Sequence, residues 1–316
     1  MVIGIRPTND FAFKKTFGSP ENTISLIGLL NAILQPAVPI HDVRLENPYN
    51  PQDFQDDKLS ILDVKATDES GAIYDIEIQL SIKLGLIQRL VFYGCELYAD
   101  QLRAGDDYTR LQPVVIIALL SEDLWPELKQ LHHRFVLTDW ESGRTLADTL
   151  SVHTLELGKY NLTEAMLGTA SRLEWWLYWL LHAGEYEPEH LLALFPEDAF
   201  RQASKTLIGI SQTTEDKTMY DAREKAIRDQ QWAIHAARIE GLIEGEIKGK
   251  TEGLIEGKIE GKIEGKIEGE IKTIRILQEV LRLPVSSEGE LGTKSLEDLQ
   301  KLTAELRVKI HNRYPT

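Results

Sequence analysis

Between Leu59 and Leu80 the chain reads LSILDVKATDESGAIYDIEIQL, and this stretch constrains the fold more than any other. Polar and apolar residues alternate with a period of two on both sides of a Thr-Asp-Glu-Ser-Gly turn. In the first arm Leu62, Val64 and Ala66 share one face, and Ile61, Asp63 and Lys65 share the other. In the second arm Tyr74, Ile76, Ile78 and Leu80 share a face opposite Asp75, Glu77 and Gln79. Successive strand side chains point to opposite faces, so the pattern predicts a β-hairpin with one apolar and one polar surface. If the arms pair about the turn, Asp63 sits close to Glu77. Two carboxylates on rigid strands suit a hard divalent cation such as Mg²⁺ or Mn²⁺. Half-buried hairpins also expose acids and lysines to water, so alternation alone leaves both readings open.

The surrounding pattern predicts strands mixed with helices. Residues 8–35 read as a helix: Thr8 or Asn9 can cap it, Phe13 and Phe17 lie at i,i+4, and Pro36 ends it. Residues 42–45 form a short strand and 47–57 a polar loop. An amphipathic helix is expected over 83–104, ending at Gly105 in a C-cap position. Val114–Leu120 is a continuous apolar run and therefore a buried strand; Arg134–Thr138 and Val152–Leu157 are two more. Residues 161–235 read as helical, with Trp175, Trp176 and Trp179 as core. The expected class is α/β with a mixed central sheet flanked by helices.

Four motifs stand in order. They are Asn9-Asp10-Phe11-Ala12-Phe13-Lys14, Asp63-Val64-Lys65, Glu77-Ile78-Gln79 and Arg89-x-x-x-Tyr93, followed by the strand from Leu111 to Ile117. Together they resemble the Rpn family of recombination-promoting nucleases, or putative transposases, of the PD-(D/E)xK nuclease superfamily. The resemblance covers roughly residues 5 to 235. It implies a restriction-endonuclease-like core and a metal-dependent DNA endonuclease. Asp63 and Glu77 would bind Mg²⁺ (or Mn²⁺), helped by the backbone carbonyl of Ile78. The family pattern usually places Lys at the end of the third motif, where this chain has Gln79; Lys65, on the same face as Asp63, is the candidate to replace it. Asp10 is the candidate for a further acid, with a helix N-terminal role as its alternative. Arg89, Tyr93 and Lys14 would contact phosphate or brace the site. A nuclease fold that has lost its chemistry, and an RNA-cleaving enzyme, are the competing readings.

Charge restrains this picture. The net charge is −15, and residues 1–125 alone hold 10 Lys and Arg against 18 Asp and Glu. A protein that grips DNA through its phosphates usually presents a basic surface, so binding is expected to be weak or to need an oligomer. The single cysteine, Cys95, excludes an intrachain disulfide and reads as a small core residue. No apolar run of about 18 residues appears, so no membrane span is expected and the chain reads as cytoplasmic. The eight histidines show no metal-ligand spacing. His132 and His133 are adjacent and should point to opposite faces of a strand.

Glycine recurs every fourth residue from Gly241 to Gly269, around an Ile-Glu-Gly-Lys unit. Each helix-interior glycine costs roughly 0.8–1 kcal/mol against alanine, so these eight cost about 6–8 kcal/mol. Three readings are open: a helix packed on other copies of the chain, a solvated linker, or a strand. The resemblance supports the helix. The expected organisation is a nuclease core over 1–160, a helical extension over 161–237, a repeat segment over 238–272 that serves a homo-oligomer or a linker, and a helical cap over 273–316.

Overall fold

The computed structural model describes residues 1–49, 64–79, 82 and 84–313. Asp63 and Leu80 lie outside the described residues. The chain forms two compact units, Met1–Gln230 and Gln231–Thr316.

The first unit is built on a six-stranded mixed sheet. Its strands are β1 (Val43–Leu45), β2 (Val64–Asp68), β3 (Ile73–Gln79), β4 (Val114–Leu120), β5 (His132–Val136) and β6 (Leu150–Glu156), in the order β1-β2-β3-β4-β6-β5. The first three strands run as an antiparallel meander, with Lys65 opposite Asp75 and Val64 opposite Ile76. β3, β4 and β6 are parallel neighbours, and β5 closes the far edge antiparallel to β6. Helices flank this sheet, giving the restriction-endonuclease-like α/β architecture.

Two apolar layers hold it. On one face Tyr74, Ile76 and Ile78 of β3, with Ile117 and Leu119 of β4, pack among helices α1 (Asp10–Phe17), α2 (Thr23–Leu34), α4 (Arg172–His182), α5 (Pro188–Leu194) and α6 (Asp198–Gln212). The tryptophans belong here: Trp176 stacks on Phe200 at 3.9 Å, and Trp179 Nε1 donates to Ser204 Oγ at 2.9 Å. On the other face lies α3 (Leu86–Ala99), whose Leu86, Leu90 and Gly94 form one buried stripe against Val114, Ile116, Ala118 and Leu120. Gly94 sets this approach, because a Cβ there would fall 2.6 Å from Leu150 Cδ1 and 3.2 Å from Ile116 Cγ1.

Three expectations are corrected. The helix expected over 8–35 is two helices. Gly18 N–H closes α1 on Lys14 O at 2.7 Å, Ser19 Oγ donates to Lys15 O, and Pro20 starts a separate 3₁₀ turn. The helix expected to reach Gly105 stops at Ala99. There Gln101 exchanges two hydrogen bonds with the backbone of Gln112, at 3.0 and 2.8 Å, and pulls the chain toward β4. Cys95 is exposed, because its neighbour Gly94 holds the buried stripe and turns Cys95 outward.

The second unit takes the later part of α7 (Thr214–Val280) with α8 (Glu288–Gly292) and α9 (Leu296–Arg313). Its core is Ile271, Ile274, Leu281, Leu291, Leu299 and Leu306. Ser295 opens α9 by accepting from Asp298 N at 3.2 Å. The glycine repeat is helical within α7, and a Cβ added at any of its glycines would meet nothing within 4 Å. No helix among the described residues is long and apolar enough to cross a membrane.

Gly94→Val tests the packing of α3. Overfilling this contact should lower stability by about 1–3 kcal/mol, read as a lower urea midpoint for the first unit; an unchanged midpoint would show that the helix sits more loosely than the contact implies.

Candidate active site

Glu77 stands near the C-terminal end of β3 on the face turned toward α3, and it is 1% exposed. A buried carboxylate is costly unless it is paired and hydrogen-bonded. Gln79, two residues on and therefore on the same face, donates from Nε2 to Glu77 Oε2 at 3.1 Å. Arg89, carried in by α3, brings Nη2 to 3.5 Å from the same oxygen. Asp75, on this face too, is equally buried and stands opposite Lys65 in the β2–β3 register. One patch thus collects two acids, a lysine, an amide and a guanidinium. Arg89 Nε and Nη2 are buried and make no hydrogen bond among the described residues. A guanidinium with donors left over is suited to the oxygens of an anion.

Asp63, the expected partner of Glu77, lies outside the described residues. Among the described residues no group of three or more His, Cys, Asp or Glu is arranged to hold a metal ion. Glu77 itself fits one half of such a site: it is a hard oxygen donor on a strand fixed from both sides.

A family model described as PD-(D/E)XK nuclease family transposase matches residues 7–237. The chain belongs to this family. No curated protein and no solved structure matches it. The matched span of the PD-(D/E)XK chain takes in every residue expected at the site.

The remaining expected residues occupy two layers. Asn9 caps α1, accepting from Phe11 N at 3.0 Å and Ala12 N at 3.3 Å. Asp10 forms an ion pair with Arg223 of α7, whose Nε donates to Oδ2 at 2.6 Å. Lys14 is 2% exposed and donates from Nζ to Asn47 O at 2.6 Å. Asn47 Oδ1 in turn accepts from Lys65 N at 2.7 Å, so one asparagine joins α1 to the start of β2. The Ile78 side chain enters the large core on the other sheet face. Tyr93 is half-buried one turn beyond Arg89, edge-on to Phe92 at 5.9 Å.

Sequence reasoning missed two polar centres. At the end of β6, Glu156 is fully buried. It accepts from Leu124 N and Trp125 N at 2.9 and 3.2 Å and lies 2.8 Å from Lys159 Nζ and 3.4 Å from His133 Nε2. Its row neighbours across the sheet are Leu120 and Gln79, so it anchors the loop after β4 at the same end of the sheet as Glu77. An acid closing an apolar strand was the available signal. The other centre is a histidine pair: His132 Nε2 and His153 Nδ1 are 2.9 Å apart. As expected, His132 and His133 face opposite ways, but nothing in their spacing pointed to His153.

Burial, then His132 and Arg134, push His153 down from 6.5 to about 4. The folded protein therefore holds this imidazole neutral where the unfolded chain would protonate it. Stability from this group is present above pH 6.5 and is lost as pH falls toward 4, by about 3 kcal/mol in all. His153→Gln should flatten the fall in unfolding midpoint between pH 7 and pH 4.5 relative to the parent chain; parallel pH profiles would show that the histidine titrates normally.

Proposed function

We propose that the chain is a metal-dependent endodeoxyribonuclease acting in DNA recombination or mobile-element movement, in the cytoplasm. The observation that carries this reading is the pair of unbonded Arg89 N–H groups buried beside the Glu77 carboxylate. Such donors next to an acid suit a phosphodiester, whose charged oxygens they can take while the acid contributes to a cation site. The residues that would hold Mg²⁺ or Mn²⁺ are Asp63 and Glu77, with the carbonyl of Ile78. Such a cation, when bound, lowers the pKa of a bound water and offsets phosphate charge.

The chain's own groups then divide the work. Gln79 orients the Glu77 carboxylate through its amide. Gln79 cannot act as a base or supply charge, so Lys65 is the candidate to hold the attacking water on the same face. Arg89 meets a non-bridging phosphate oxygen, with Tyr93 beside it. Asp10 and Lys14 act from α1 as braces, through Arg223 and Asn47. The departure from Lys at Gln79 favours a second reading, a nuclease fold without turnover that serves as an assembly or DNA-binding module.

Nicking of supercoiled plasmid in Mg²⁺, Mn²⁺ or EDTA, with a structured RNA in parallel, separates these readings. Asp63→Ala and Glu77→Ala should each lower cleavage at least about 100-fold with unfolding midpoints near the parent's. Lys65→Ala should slow the chemical step with little change in metal affinity, and Gln79→Lys should keep or raise the rate. Full activity in both acid variants would sink the site, and cleavage of RNA alone would move the substrate.

The repeat is read as a homo-oligomer interface. A Cβ added at any of its glycines would meet no other side chain or distant backbone within 4 Å among the described residues, so no contact there calls for their small size. The same segment leaves Ile255, Ile259 and Ile263 exposed. A period of four drifts about 40° per repeat around a straight helix, so partner helices following the stripe would coil right-handed. Two linked cores would raise the effective concentration of an acidic protein at neighbouring phosphates. The triple change of Ile255, Ile259 and Ile263 to Ser leaves the core of the second unit untouched. Light scattering should then show a smaller particle; equal particle size before and after would make the repeat a linker.

A further inference from the structure

A cleft of ≈ 560 Å³ opens on the sheet face away from Glu77, where β4 and β6 begin, under the chain that follows α2. Its floor follows the strand register. Tyr74, Val115, Ser151 and Val136 make one row across β3, β4, β6 and β5, and His153 with Arg134 belongs to the next. Pro36, Val38 and Pro39 line the opposite wall.

The polar groups of this cleft are unevenly satisfied. Its acids are mostly engaged: Asp68 accepts from Ser70, Ala72 N and Tyr74 Oη, and Glu69 from the amides of His41 and Asp42. Asp148 remains at the rim. The donors are not engaged. Among the described residues Arg134 has no ion pair, and Thr149 Oγ1 is buried without a hydrogen-bond partner. The Ser151 hydroxyl has none either. His153, 4% exposed, lines the cleft and meets His132 through Nδ1, its one side-chain hydrogen bond among the described residues. In the tautomer in which His132 donates to Nδ1, His153 Nε2 carries the proton.

A guanidinium fork, an imidazole N–H and two hydroxyls offer more donors than one carboxylate can accept, and match a phosphate group. The volume exceeds what a bare phosphate fills and lies in the range of small-molecule sites, roughly 300–1,000 Å³. The apolar walls supply a place for the rest of such a molecule. We propose that this cleft binds a phosphomonoester of nucleotide size, with its phosphate on Arg134, His153, Thr149 and Ser151 and its body between Pro36, Pro39 and Val115. The site stands apart from Glu77 and does not depend on the nuclease reading.

Calorimetric titration of the full chain with AMP, adenosine and inorganic phosphate tests it. AMP should bind saturably, with adenosine and inorganic phosphate each at least about tenfold weaker. Arg134→Ala should weaken AMP at least about tenfold and Arg134→Lys less, because a lysine keeps the charge and loses the fork. Ser151→Asp, which sets a carboxylate against the phosphate, gives an independent route to the same loss. Glu77→Ala should leave AMP affinity unchanged. The proposal is overturned if AMP shows no saturable binding up to about 10 mM. It is equally overturned if Arg134→Ala and Ser151→Asp bind AMP as the parent does, if the loss follows Glu77→Ala instead, or if phosphate alone binds as tightly as AMP.

Discussion

Strand β3 is covered on both faces, so its isoleucines and its carboxylates are removed from water alike. The isoleucine face repays burial through the hydrophobic effect, which favours Tyr74, Ile76 and Ile78 against α1 and α2. The acid face has no such return, and there Glu77 meets the Gln79 amide and the Arg89 guanidinium. This asymmetry dictates the neighbourhood. Gln79 must lie two residues from Glu77, Lys65 must face Asp75 across the ladder, and a basic side chain must descend from α3. Gly94 allows that descent, since a Cβ there would press on Leu150 and Ile116 of the sheet.

The first helix takes part at a distance. The family resemblance offers Asp10 and Lys14 as site residues, and their contacts, with those of the capping Asn9, tie helices and strands together. Lys14 reaches the carbonyl of Asn47, whose side chain receives the amide of Lys65. Asp10 is bound to Arg223, more than two hundred residues along the chain. A buried or half-buried ion pair of this kind contributes less to net stability than to geometry, because desolvation offsets much of its attraction. Here the geometry it fixes is the placement of the first turns of α7 beside α1, within the first unit.

The alternation in β2 and β3 and the apolar run of β4 were legible because strand periodicity is local and each residue's face follows from parity. The same parity put Asp75 beside Glu77, although only Glu77 belonged to a motif. What was not legible depends on long-range pairing. The break at Gly18–Pro20 is decided by side chains of Ser19 and Asn22 that reach back to Lys15 O, and the early end of α3 by Gln101 meeting Gln112. Cys95 was misplaced by one position on a helix, which is 100° of rotation and enough to exchange core for solvent. His132 and His153 meet only because β5 returns antiparallel to β6, an order that no spacing along the chain encodes.

The acidic balance also bears on how recognition can work. At −15 the long-range field repels a polyanion, so steering toward a phosphate cannot come from the chain as a whole. Attraction has to be local and short-ranged, arising where a buried cation retains N–H groups that its neighbouring carboxylate does not take. Arg89 is such a place: it lies 3.5 Å from Glu77, yet two of its N–H groups remain unbonded inside the fold. Burial strengthens what these donors offer, since lower local polarity and shielding from salt both deepen a short contact. An acidic chain organised in this way should discriminate by fit at one phosphate rather than by counting many, and its affinity should fall less steeply with salt than that of a protein with a broad basic surface.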